Sequence, residues 1–188
     1  THEPIEQLTM LRAQPNFIEF RPADGVETMA GWAVAMTSLD APVGLILSRQ
    51  NLPQLENSST EALKGAYIID DVENPDVLLL ASGSEVSLAI DAKAKLAEEN
   101  IQARVISMPS FELFERQDEA YKEKVLPKNL RKRVAIEAGA SLSWGKYVGI
   151  DGGYVCIDTF GGSGKGDVLF KEFGFTVDNV VSKVKEIL

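Results

Sequence analysis

The sequence is poor in the residues that build covalent or metal-centred chemistry. It has one cysteine, Cys156, and one histidine, His2, in 188 residues. A single thiol excludes an internal disulfide and any multi-cysteine metal site, and it fits a reducing compartment. Positive charge is scarce as well: 19 Lys and Arg stand against 28 Asp and Glu, for a formal net charge of −9. That balance argues against nucleic acid or an anionic membrane surface as a general partner. No apolar run approaches the roughly 20 residues that span a bilayer, and no stretch resembles a secretion signal. A cytoplasmic protein is the expectation, and any anionic ligand would need locally placed cations.

What is present is an ordinary globular composition, 45% hydrophobic and 25% charged. Short apolar runs alternate with helical patterns, which predicts an α/β fold with a mainly parallel, doubly wound sheet. Pro4, with Ile5, Leu8 and Leu11 at helical spacing, predicts a first helix that Pro15 stops. Phe17–Phe20 reads as a strand. Asp24 and Glu27 form a capping-box-like pair opening a helix to about Ser38, with Val26, Met29, Ala30, Ala33 and Met36 inward. Val43–Leu47 completes a βαβ unit. Two parallel strands cannot bury themselves, so residues 1–55 are expected to be the end of a larger domain. Further strands are predicted at Ala66–Ile69 (an edge), Val77–Ala81 (central), Arg104–Met108, Arg133–Glu137 and Tyr154–Asp158. Ser82 and Glu85 have capping-box spacing before a helix to about Glu99, and residues 111–126 read as mostly helical. Val177–Leu188 is periodic, with Thr176 as its cap. The segment from about Glu56 onward is expected to fold without the first.

The stretch 43-VGLILSRQNLP-53 places Arg49 just past the carboxyl end of a strand, where open α/β sheets bind ligands. Its guanidinium offers a planar fork of donors to phosphate or carboxylate; an interdomain salt bridge is the competing reading. His2 is the one side chain whose ordinary pKa lies near neutrality, so it is a candidate proton carrier or simply a structural residue. Other signals read as bland. The run 161-GGSGKG-166 lacks the first glycine and the hydroxyl residue of a phosphate-binding loop and reads as a flexible turn. Lys128, Arg131, Lys132 and Arg133 read as a solvated basic loop, and Cys156 as a small core residue.

Several of these stretches together resemble transketolase: 1-THEPIEQLTMLRAQPN-16, 21-RPADGVET-28, 47-LSRQNLPQLE-56, 82-SGSEVSLA-89, 107-SMPSFELFERQD-118 and 171-KEFGFTVDNVV-181. They run in order over essentially the whole chain. The resemblance implies the end of the family's pyrimidine-binding domain in residues 1–55 and its C-terminal domain in residues 56–188. It implies a parent enzyme of the pentose phosphate pathway that moves a two-carbon ketol unit between sugar phosphates as a homodimer. The implied cofactors are thiamine diphosphate and a divalent cation, Mg2+ or Ca2+. His2 matches the histidine of the family's Thr-His-Gln-Pro motif, which faces the cofactor and contacts substrate oxygens, with Glu3 here in place of the glutamine. Arg49 matches the arginine of Ser-Arg-Gln-Asn, which binds the sugar phosphate. The cofactor-activating acid and the metal ligands belong to regions outside these 188 residues. Neither cofactor binding nor turnover is therefore expected of the chain alone, and the resemblance implies no catalytic residue in the C-terminal domain. A related thiamine enzyme, such as a deoxyxylulose phosphate or dihydroxyacetone synthase, and a purely dimer-holding module remain the alternatives.

Overall fold

A computed structural model of the chain describes residues 3–188. Helix α1 spans Gln7–Arg12 and is followed by strand β1, Ile18–Phe20, helix α2, Gly25–Thr37, and strand β2, Val43–Leu45. β1 and β2 pair in parallel, Ile18 opposite Val43 and Phe20 opposite Leu45. β2 is shorter than the apolar run predicts: the Ile46 N–H still donates to the Phe20 carbonyl at 2.9 Å, and the pairing ends there. The predicted cap of α2 is present: Asp24 accepts from the Glu27 N–H at 2.9 Å, and Glu27 accepts from the Ala23 N–H at 2.7 Å.

The inward face of α2 differs from the expectation. Glu27, Ala30 and Gly31 are buried, whereas Met29, Trp32 and Met36 are exposed and Ala33 is also outside. The cause is close packing. A Cβ on Gly31 would lie 2.8 Å from Phe20 and 2.9 Å from Leu45, so the small side of the helix is the side that can approach the strands.

Strands Tyr67–Asp70 (β3), Val77–Ala81 (β4), Ala103–Ser107 (β5), Arg133–Ile136 (β6) and Gly153–Val155 (β7) form the second sheet, in the order β3-β5-β4-β6-β7. β3 is an antiparallel edge and the remaining pairs are parallel. β4 is central and fully buried, as its uninterrupted apolar run requires. Helices α3 (Glu85–Glu98) and α8 (Val177–Ile187) share the core on one face of the sheet. The opposite face is covered by α4 (Phe111–Glu115), α5 (Glu119–Val125) and α6 (Gly145–Val148), around Phe111, Trp144 and Tyr147. The single predicted helix over 111–126 is two, because Asp118 starts a new one by accepting from the Tyr121 N–H at 2.7 Å. A short helix α7, Gly166–Glu172, precedes α8, whose predicted cap Thr176 accepts from the Asn179 N–H at 3.2 Å.

The two halves are not separate bodies. β2 occupies only one edge of β1. On the other edge, the Glu19 N–H donates to the Glu112 carboxylate at 3.2 Å and the Arg21 N–H to the Pro109 carbonyl at 2.8 Å. The Gly83 N–H in turn donates to the Arg21 carbonyl at 3.1 Å. Ile18 and Phe20 are buried in the same core as β4 and α3. Residues of the second half thus satisfy the backbone groups that another strand would otherwise take.

Candidate functional site

The carboxyl ends of β1, β2, β4 and β6 converge, as the rule for open α/β sheets anticipates. Arg21 follows β1, Ser48 lies three residues past β2, Ser82 to Ser84 follow β4, and Glu137 follows β6. A cleft of about 260 Å³ opens there, lined among others by Arg21, Leu47, Ser48, Gly83 and Ser84.

Beneath it lies a buried ionic cluster that joins the halves. Arg12 grips Glu137 with both terminal nitrogens, Nη1 to Oε2 and Nη2 to Oε1, each at 2.7 Å. The same guanidinium donates to Glu19 Oε1 at 3.1 Å and to Ser143 at 3.0 Å, and it stacks over the Phe111 ring at 4.0 Å. Arg21 Nη1 donates to Glu85 at 2.6 Å and to the Ser82 carbonyl at 2.5 Å. Glu137 also accepts from Ser82 Oγ at 2.5 Å and Trp144 Nε1 at 2.8 Å. The capping box expected of Ser82 and Glu85 is therefore absent. The Ser82 hydroxyl turns to Glu137 and the Glu85 carboxylate to Arg21, because two buried charges from the first half must be matched.

Three carboxylates, Glu19, Glu85 and Glu137, face two guanidiniums, and Glu112 stands nearby as a fourth. Burial would raise Glu137, but Arg12 and Arg21, with the Ser82 bond, hold it down to about 2. Glu19 goes the other way. Burial pushes it up to about 8; Arg12 offsets this only in part, while Glu137 and Glu112 push it further. Arg12 Nε lies 3.1 Å from Glu19 Oε2 without aligning an N–H on it, so that buried oxygen has no hydrogen-bond partner. An unsatisfied buried carboxylate oxygen is costly when charged, which favours the proton.

The signs give a pH prediction. The Glu137 contribution is present above the ordinary carboxylate range and is lost as pH falls from about 4.5 toward 2. Folded Glu19 holds a proton that the unfolded chain releases, so stability falls as pH rises from about 4.5 to 8. Denaturant unfolding between pH 5 and 7.5 should show that decline. Glu19→Gln should make it shallower by roughly 1.4 kcal/mol per pH unit. Parallel pH curves for the two proteins would show Glu19 to be ionised in the folded state.

Arg49 stands in the loop past β2, exposed, and among the described residues no carboxylate pairs with it. The interdomain salt bridges weighed for Arg49 are made by Arg12 and Arg21 instead. Its neighbour Ser48 lines the cleft over the strand ends, and both Ser48 and Gln50 line an adjoining cleft of about 270 Å³. His2 lies outside the described residues. In the basic stretch, Lys128 pairs with Glu119 and Arg131 with Asp151 at the surface. Arg133 is structural, donating to the carbonyls of Pro127, Leu130 and Tyr147. Cys156 is half-buried at the edge of the second core, and burial pushes its thiol up.

Two joined α/β units with a cleft over their strand ends agree with what comparison with known proteins finds. Residues 1–54 match the model of the transketolase pyrimidine-binding domain, and residues 65–176 match that of the transketolase-like C-terminal domain. The chain belongs to the transketolase family. It is 53% identical to the transketolase of Bacillus subtilis over 194 residues, which covers all of this chain and 29% of that protein. A solved transketolase from Leishmania mexicana superposes with a TM-score of 0.93 at 43% identity, over 99% of this chain and 27% of that one. A Pichia stipitis transketolase solved in complex with sedoheptulose 7-phosphate gives 0.94 at 41% identity, over the same shares. The chain thus spans under a third of the length of these relatives.

Membership implies thiamine diphosphate, and the matched pyrimidine-binding model agrees with it. The buried cluster does not fit the diphosphate or its cation. Arg12 and Arg21 are already paired, and no group of three or more His, Cys, Asp or Glu among the described residues is placed to hold a metal ion.

Proposed function

We propose that this chain is part of a transketolase that transfers a two-carbon ketol unit between sugar phosphates, and that it divides near residue 55 into pyrimidine-binding and C-terminal portions. The supporting observation is Arg49, a cation past a strand end with no carboxylate partner among the described residues, while Arg21 of the cleft and Arg12 beneath it are neutralised. A guanidinium in that position is suited to a bidentate grip on a phosphate dianion. Arg49 anchors the sugar phosphate, and His2 hydrogen-bonds the donor sugar and helps carry a proton at its reacting end. Thiamine diphosphate, when bound, supplies the carbanion chemistry, while protein groups orient the substrate and tune charge. The diphosphate and its divalent cation are held by parts of the enzyme beyond these residues, and the working enzyme is a cytoplasmic homodimer.

Titrating thiamine diphosphate with Mg2+ into the 188-residue chain should give no calorimetric binding at micromolar concentration, and the chain alone should not turn over ketose phosphates. Micromolar binding would place the diphosphate site within this chain. The full-length enzyme carrying the chain should transfer ketol units between sugar phosphates, and failure to do so with the cofactor supplied would remove the assignment.

A further inference from the structure

The run 161-GGSGKG-166 reads as a turn in the sequence, yet in the fold it packs on both segments that carry the proposed site. The Gly161 N–H donates to the Glu3 carbonyl at 2.8 Å, one residue past His2. A Cβ on Gly161 would stand 2.7 Å from that oxygen, so the contact needs a glycine. At the other end of the loop, a Cβ on Gly166 would stand 2.9 Å from Nε2 of Gln50, the residue after Arg49. Glu3, Gln50, Gly161 and Gly166 line one cleft of about 220 Å³. Lys165 sits beside Gly166, exposed, and among the described residues it has no carboxylate partner.

Among the described residues, Arg49 and Lys165 have no carboxylate partner, and they adjoin in sequence the two sides of one loop-to-loop contact, Gln50 and Gly166, in a chain of net charge −9. Both side chains are exposed and can offer positive charge to an anion at that edge. We propose that Lys165 is a second ligand for the sugar phosphate beside Arg49, so that the glycine-rich loop of the C-terminal half is a wall of the substrate site. Lysine is suited to this place because its ammonium is a point charge on a flexible four-carbon stem, able to follow a phosphate already oriented by a guanidinium fork. The inference rests on the transketolase reading above and assigns to the C-terminal half a contact that the family resemblance does not imply.

The test uses the full-length enzyme with Lys165→Met and Lys165→Arg. Arg49→Ala serves as the control, and each variant is assayed with a phosphorylated and an unphosphorylated substrate pair. Lys165→Met should raise KM for phosphorylated substrates roughly fivefold, the size expected of an exposed ion pair, with kcat retained. The change should be several times larger than on the unphosphorylated pair, and Lys165→Arg should restore most of it. Equal losses on both pairs, or no loss while Arg49→Ala is impaired, would overturn the Lys165 assignment and leave the transketolase reading standing. An enzyme with no ketol transfer at all would remove both.

Discussion

Replacing Arg12 with alanine should destabilise the protein by about 3–5 kcal/mol, the cost of breaking a buried ion pair from one side. The side chain is 5% exposed and its partner Glu137 fully buried. Without Arg12, Glu137 keeps the Ser82 and Trp144 bonds but only a distant cation, Arg21 at 3.9 Å. Glu19 loses its nearest guanidinium as well. For a chain of this size the loss corresponds to a drop in Tm of roughly 6–20 °C. Lysine should recover little, because one ammonium cannot grip Glu137 with two parallel bonds and also reach Glu19. Adding Glu137→Gln to Arg12→Ala should cost less than the sum of the single changes, since it removes the charge left unpaired. Denaturant unfolding of the four proteins measures this. A loss below about 1 kcal/mol for Arg12→Ala would mean that water reaches the cluster and screens it.

Arg49→Ala in the full-length enzyme should lower kcat/KM for phosphorylated sugars about ten- to a hundredfold, from the loss of charge-assisted bonding worth roughly 1.5–3 kcal/mol in all. The phosphate is remote from the carbon–carbon bond that breaks, so the contact is equal in ground and transition states and its loss falls on KM. Unphosphorylated substrates never make the contact and should lose far less. Arg49→Lys should be intermediate. Equal losses on both substrate types would make Arg49 a support of the fold, and the phosphate site would then lie elsewhere.

The order of the main strands and helices was legible because each carries a local signal. Val77–Ala81 announces a central strand by its apolar run, and Thr176 announces α8 by its hydroxyl. Even the strand-end rule that singled out Arg49 points with equal force to Arg21, Glu85 and Glu137, which follow β1, β4 and β6. They passed unnoticed because each has a simpler local reading, and because their partners lie far off in the chain: Arg12 meets Glu137 across 125 positions. The inward side of α2 was misread for a different reason. Large apolar residues are not obliged to face a core, and where helix and strand approach closely it is Ala30 and Gly31 that fit. The glycine-rich loop fails as a phosphate-loop motif, and its contacts with Glu3 and Gln50 leave no trace in local sequence.

The closed far edge of β1 gives the first sheet a direction of growth. The Glu112 carboxylate and the Pro109 carbonyl occupy the backbone donors on that side, while among the described residues β2 has no strand on its outer side. Any strand recruited to this ladder, whether from elsewhere in a longer chain or from another molecule, must dock along β2. The second half of the chain acts as a terminator for the sheet, fixing which of its two edges can be extended.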